Sequence, residues 1–245
     1  MNLQAKTILI TGSARRIGRA LAMAVARAGG RVIIHHSSSP EEAEAARREI
    51  EALGCQAGVL QHDLSDPSSA AELIHAAAEL GPLHGLVNNA AIFEDRDWQN
   101  TTPQDWQRHM DINLSSPFFL SQAFARHYLE HREPGETGRI VNILDWRALR
   151  PGADHLPYTI SKAGLVALTR SLAVSLAPDI CVNGIALGAI LPPSTGKTPP
   201  DLLEHVPAGR WGTLEEVGQA LVFLLGGPAY ISGEILYLDG GRHLV

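Results

Sequence analysis

Residues 7–18 read TILITGSARRIG, and few stretches of this length restrict a fold as tightly. A short β-branched apolar run leads into a glycine turn. An alanine-rich segment with helical spacing follows, from about residue 17 to 28, and Gly29-Gly30 stop it. In such a strand–turn–helix unit Gly12 permits the tight turn and Gly18 lets the helix pack close to the sheet. The helix N-terminus then presents unpaired N–H groups and the positive end of its dipole, a place where a diphosphate can sit.

The same alternation runs down the chain. Strands are expected at residues 31–36 (RVIIHH), 55–66 (CQAGVLQHDLSD, breaking at Asp63), 84–89, 139–144, 180–185 and 234–238. Between them lie helical patterns at 40–53, from Asp66-Pro67 to about 80, from Thr102-Pro103, at 115–131 and at 157–177. A Thr213/Glu216 capping box opens a last helix that ends at Gly226. Strands alternating with helices of these lengths call for an α/β fold. Right-handed crossovers make it a doubly wound, Rossmann-type parallel sheet of about seven strands with helices on both faces. No linker-like composition shift divides residues 1–245, so they read as one domain. The proline-rich stretch 187–210 is the one long irregular segment, and its place beyond the sixth strand suits a lid over a pocket.

Bulk properties narrow the function classes. Net charge is −6 with no basic run, which argues against a nucleic-acid partner. No apolar run approaches the ~18 residues of a membrane span, and the N-terminal stretch reads as a strand rather than a signal peptide. Two isolated cysteines suit a reducing compartment, so the expectation is a cytoplasmic protein acting on a small molecule. Gly196-Lys197-Thr198 mimics the tail of a P-loop, but Leu191 and flanking prolines remove the strand–loop–helix context. His127 and His131 have ligand-like spacing without a carboxylate to complete a set, so no metal site is expected.

Chemistry concentrates at residues 145–162, DWRALRPGADHLPYTISK. Tyr158 and Lys162 stand four apart and share one face of a helix. An ammonium beside a phenol favours the phenolate, so Lys162 is expected to lower the Tyr158 pKa. Asp145 closes the hydrophobic run RIVNIL, at a strand's carboxyl end, where α/β sheets bind ligands. The alternatives are a plain Tyr–Lys helix pair and a strand-end turn residue.

TGSARRIG, HDLSD, NNAA, Asn113, Tyr158-x-x-x-Lys162, GRWGTLEEV and LDGG occur in this order along the whole chain. Together they resemble the short-chain dehydrogenase/reductase family. Most members have glycine at the position of Arg16 and serine at that of Asp145. Both departures are similar to those of the pteridine reductases, and the ending LDGGRHL resembles dihydromonapterin reductases of that branch.

The resemblance implies a cofactor site at Gly12, Arg15, Arg16, Ile17, Gly18, His36, Asp63, Leu64, Asn89, Ala90, Tyr158, Lys162 and Gly188. The second strand ends without an Asp or Glu to grip a ribose 2′-OH. Arg15 with Ser37, Ser38 and Ser39 instead offers the chemistry of a 2′-phosphate, so NADPH is the expected cofactor. Asn113 would bulge a helix and hold a water beside Lys162. Phe93 would stack on a pterin, unless it is an ordinary core aromatic. Arg16 would reach the ring's rim, and Asp145 with Tyr158 would deliver a proton to a C=N bond. The rivals are an NADPH-dependent carbonyl reductase, for example of 3-oxoacyl thioesters, and an NADP(H)-binding scaffold or redox sensor with little turnover. Family members usually form homotetramers through the long helices at 115–131 and 158–177.

Overall fold

The seven strands pair in parallel throughout, in the order β3-β2-β1-β4-β5-β6-β7. The computed structural model describes residues 3–192 and 202–245. Residues 193–201, the centre of the expected lid together with Gly196-Lys197-Thr198, lie outside the described residues. In chain order the main elements are β1 (Thr7–Ile10), α1 (Arg16–Arg27), β2 (Arg31–His36), α2 (Pro40–Ala52), β3 (Ala57–Gln61), α3 (Ala70–Glu79), β4 (Gly85–Asn88), α4 (Pro103–Met110), α5 (Ser116–His131), β5 (Gly138–Asp145), α6 (Leu156–Ser175), β6 (Ile180–Leu187), α7 (Leu214–Gly226) and β7 (Ile235–Leu238). The expected doubly wound sheet is therefore the observed one.

Strand alternation sends side chains to two cores. Ile8, Ile10, Val32, Ile34, Val87, Val141 and Ile143 face α1, α2 and α7. Leu9, Ile33, Leu86, Ile140 and Val182 face α3, α5 and α6. Because both faces are covered, the strands read as unbroken apolar runs rather than as alternating ones. Each fully buried Leu or Ile contributes roughly 1.5–3 kcal/mol.

Local signals set several boundaries. Thr102 and Asp105 form a reciprocal capping box at α4, and Thr213 and Glu216 form another at α7. Asp66 accepts from the N–H of Ser68 and starts a 3-10 turn, Pro67–Ser69, ahead of α3. Between α4 and α5 the backbone widens into a π-helical turn, Asp111–Ser115, with Asn113 at its centre. No helix among the described residues is long and apolar enough to cross a membrane. Strand order reverses between β1 and β4, so a crevice opens beyond their carboxyl ends.

Candidate active site

A cleft of about 1350 Å³ follows that crevice. It exceeds the ~300–1,000 Å³ of a pocket for one drug-sized ligand, so it has room for two molecules side by side. One end is built from the tips of β1, β2 and β3, the other from β5 and α6.

At the second end β5 delivers Asp145, and the first turns of α6 deliver Tyr158 and Lys162. The two oxygens of Asp145 have different tasks. Oδ1 accepts from the N–H of Arg147 at 2.9 Å, starting the 3-10 turn Trp146–Ala148. Oδ2 lies 3.1 Å from the Tyr158 hydroxyl. Asp145 is thus both a turn residue and the tyrosine's partner. Removal from bulk water raises the Asp145 pKa, against the pull of the Arg147 N–H and charge, Tyr158 and Lys162.

Tyr158 corrects a sequence expectation. Its pKa is raised well above 10, first by burial and then by the Asp145 charge and hydrogen bond. Lys162 does not oppose this. Its Nζ donates to the Ile143 carbonyl at 2.7 Å and lies 5.8 Å from the tyrosine ring centroid. Burial pulls the Lys162 ammonium down to about 8, with Asp145 acting in the other direction. The carboxylate, not the lysine, is therefore the tyrosine's dominant charged neighbour. Asp145 and Tyr158 together hold a proton tightly.

Asn113 sits behind the cleft wall rather than on it, fully buried. Its Oδ1 accepts from the Ile92 N–H at 2.9 Å, and its Nδ2 donates to the Ile92 carbonyl and to Ser161 Oγ at 3.0 and 3.1 Å. Both amide hydrogens are therefore used within the protein. Phe93 is 43% exposed, which is not the burial of a core aromatic. One face stacks on His155 at 3.9 Å and the ring meets Tyr158 edge-on at 4.7 Å. A bound ring must therefore use the other face or displace His155.

At the nucleotide end Gly12 adopts φ +61°, which glycine takes without strain. A Cβ on Gly18 would stand 2.2 Å from the Gly12 carbonyl, so turn and helix touch there. Asn89 Nδ2 donates to the carbonyls of Thr11 and Gly12 at 2.8 and 3.1 Å and ties the turn to β4. Ile17, Asp63, Leu64, Ala90 and Gly188 line the cleft as well, Asp63 with its carboxylate accepting from the Ser65 N–H. Arg16 holds φ +51°, an uncommon conformation for a side chain that glycine would relieve. Its Nη2 donates to the Pro192 carbonyl at 2.6 Å. Arg15 is 61% exposed and only loosely paired with Glu42, at 3.6 Å.

Of the three serines, only Ser37 offers an exposed hydroxyl to the cleft. Ser38 is exposed but lies off the cleft wall, because β2 has already ended and the chain is turning into α2. Ser39 also lines the cleft but is buried as the residue preceding α2, its N–H given to His36 Nδ1 at 3.3 Å.

A sequence model of the adh_short_C2 family, described as enoyl-(acyl carrier protein) reductase, matches residues 12–243. The 3-oxoacyl-[acyl-carrier-protein] reductase FabG of Aggregatibacter actinomycetemcomitans is 36% identical over 241 residues, covering 96% of this chain and 98% of its own. The chain belongs to the short-chain dehydrogenase/reductase family. As a short-chain dehydrogenase/reductase it is an oxidoreductase. Its relatives differ in substrate. The 2-dehydro-3-deoxy-D-gluconate 5-dehydrogenase of Dickeya dadantii is 33% identical over 98% of this chain and 96% of its own. The crystal structure of FolM alternative dihydrofolate reductase 1 from Brucella canis, complexed with NADP, superposes with a TM-score of 0.91 at 33% identity, covering 99% of this chain and 96% of that one.

Several cleft residues of this family member take roles that its sequence did not reveal, His35 among them although its place at the adenosine end was expected. His35 is buried, and its Nδ1 accepts from the Gly12 N–H at 3.0 Å while Nε2 donates to the His62 carbonyl at 3.0 Å. Burial lowers its pKa to about 4, so the ring is neutral and clamps the glycine turn. Trp146, Arg147, His155 and Arg242 also line the substrate half. No spacing could have brought Arg242 to Trp146, since they meet only through the fold. Among the described residues, no group of three or more His, Cys, Asp or Glu could hold a metal ion. His127 and His131 stack on each other instead, at 4.4 Å.

Proposed function

We propose that the protein is an NADPH-dependent reductase of a pterin-like substrate, with hydride delivered to a C=N bond. The observation that carries this is the 3.1 Å contact between Asp145 and Tyr158, where the family's usual partner is serine. A carboxylate beside a ketone would repel the developing oxyanion. A carboxyl whose pKa is raised can instead hand a proton to a ring nitrogen.

The residues fit the cofactor. The glycine turn leaves backbone close to backbone at Gly12 and Gly18, and the α1 N-terminus faces the cleft. Arg15 and Ser37 would hold the 2′-phosphate, Asp63 and Leu64 the adenine, and Asn89, Ala90, Lys162 and Gly188 the remainder. Several solved relatives contain NADP. Bound NADPH would supply the hydride. Asp145 and Tyr158 hold the proton on Oδ2 and Oη, Lys162 fixes α6 to the end of β5, and Phe93 gives the substrate ring a wall.

Identity to FabG favours a second reading, reduction of 3-oxoacyl thioesters. A panel assay separates them. Oxidation of NADPH with 7,8-dihydrobiopterin but not with acetoacetyl-CoA supports the first reading, and the reverse supports the second. Cofactor binding with no turnover of either would favour the scaffold reading. We also infer a homotetramer through α5 and α6, where Phe119, Leu129, Ile160 and Val174 are exposed. Sedimentation would reveal its mass.

Two variants test the binding roles. Arg15→Ala should weaken NADPH binding by about tenfold, the low end for a charge-assisted hydrogen bond at an exposed site. NADH binding should change little, as read by fluorescence titration. Phe93→Ala should raise the dihydropterin KM about three- to tenfold, the value of one aromatic stack. NADPH affinity should stay near wild type. A fall in melting temperature without a KM change would instead mark Phe93 as structural.

A further inference from the structure

The substrate half of the cleft has a wall that proton delivery does not use. Phe93, Arg147, Trp146 and Arg242 form an alternating run of rings and guanidinium groups. Arg147 Cζ lies 5.8 Å from the Phe93 ring centroid and 5.1 Å from that of Trp146, and Arg242 Cζ lies 4.0 Å from Trp146. All four line the cleft.

The two cations are answered differently. Arg147 pairs with Asp154 at 3.2 Å. Arg242 has, among the described residues, no carboxylate at ion-pair distance and no hydrogen bond from its guanidinium. Asp239 is close in sequence but committed elsewhere. Its oxygens accept from the N–H groups of Gly241 and His243 and from His243 Nδ1, at 2.8–3.0 Å. Tyr237 stacks on the same imidazole at 3.8 Å. The carboxylate therefore pins the terminal turn, Arg242–Leu244, and makes no ion pair with Arg242, which feels the Asp145, Asp154 and Asp239 charges only from a distance. Burial and then the neighbouring Arg147 charge both disfavour that cation. A planar guanidinium held against an indole keeps its N–H edges for a second partner, and its geometry suits an oxyanion.

We infer that Arg242, stacked on Trp146 and backed by Arg147, binds an oxyanion on the side arm of the substrate, a carboxylate or a phosphate. For the ring this rests on the pterin reading, and it narrows that reading to dihydropterins with an acidic arm. The arm site itself stands on the Trp146–Arg242 geometry alone.

The test compares wild type, Arg242→Gln and Arg242→Lys as full chains with NADPH. Substrates are 7,8-dihydrofolate, whose arm carries carboxylates, and 7,8-dihydrobiopterin, whose arm is uncharged. Acetoacetyl-CoA, with phosphates, distinguishes the other oxyanion source. Arg242→Gln should raise kcat/KM discrimination against dihydrofolate, relative to dihydrobiopterin, by about tenfold. Arg242→Lys should fall between. Equal penalties for both pterins would overturn the inference, and a selective penalty for acetoacetyl-CoA alone would assign the site to phosphate. Binding of 4-aminobenzoylglutamate to the NADPH complex, by calorimetry, reads the arm site without any pterin. Weaker binding to Arg242→Gln upholds the site even if wild type reduces neither pterin, an outcome that sinks only the pterin reading. Equal binding to wild type and variant overturns the site.

Discussion

Asp145→Asn is expected to lower kcat for a dihydropterin by about 100- to 10,000-fold, the range for loss of a general acid. Asparagine keeps the shape and can still accept from the Arg147 N–H, so the turn Trp146–Ala148 survives. It cannot deliver a proton. In wild type the raised Asp145 pKa means that the active, protonated pair is depleted as pH rises. The kcat profile should therefore fall on its alkaline side, with a midpoint above the ~3.9 of a free aspartate. That limb belongs to the Asp145–Tyr158 pair and should flatten in the variant.

Stability has the same sign. A carboxyl with a raised folded-state pKa contributes stability fully present below its unfolded value and lost as pH rises through the folded one. As pH rises above the ~3.9 of a free aspartate, the melting temperature of Asp145→Asn should thus gain on wild type. Asp145→Ser, which restores the family's common residue, should recover some ketone reduction while pterin reduction stays low. An Asp145→Asn enzyme with unchanged pterin turnover and pH profile would reduce Asp145 to its turn role and move the 3-oxoacyl reading to first place.

Gly18→Ala is expected to damage the cofactor end almost as severely. The added methyl would stand 2.2 Å from the Gly12 carbonyl, 2.7 Å from Asn89 Nδ2 and 2.8 Å from Ser13 Cα. Two of the three are backbone, so rotating a side chain cannot relieve them. The glycine turn must move off α1, against the His35 and Asn89 hydrogen bonds that hold it. Overpacking of this kind costs about 3 kcal/mol or more. For a chain of this size the melting temperature should fall by roughly 6–12 °C. NADPH Kd should rise by at least about tenfold. Thermal melts with and without NADPH read both effects. A variant that binds NADPH like wild type would show that the turn is not the diphosphate site.

The fold and the ordering of the site were legible because their causes are local. Apolar runs of strand length, helical spacing, Gly12 and Gly18 at the first turn, the Thr102-Pro103 helix start and the Thr213 capping box each act within a few residues. Once the strands are parallel, their carboxyl ends share one edge. Residues at those ends, Gly12, Asn89, Asp145 and Gly188 among them, must then meet in one cleft.

What the tertiary structure alone decided is how these side chains interact. The four-residue spacing of Tyr158 and Lys162 suggested a lysine-tuned phenol. In the fold the ammonium turns to the Ile143 carbonyl, and Asp145, thirteen residues earlier, becomes the dominant charge on Tyr158. The serines after β2 looked equivalent as a string, but the start of α2 buries Ser39 and the turn carries Ser38 off the cleft. His35 as the clamp on the glycine turn, and Arg242 stacked on Trp146, join residues far apart in the chain. Desolvation, charge pairing and stacking depend on distances through space. One-dimensional spacing predicts these only within a single helix or turn.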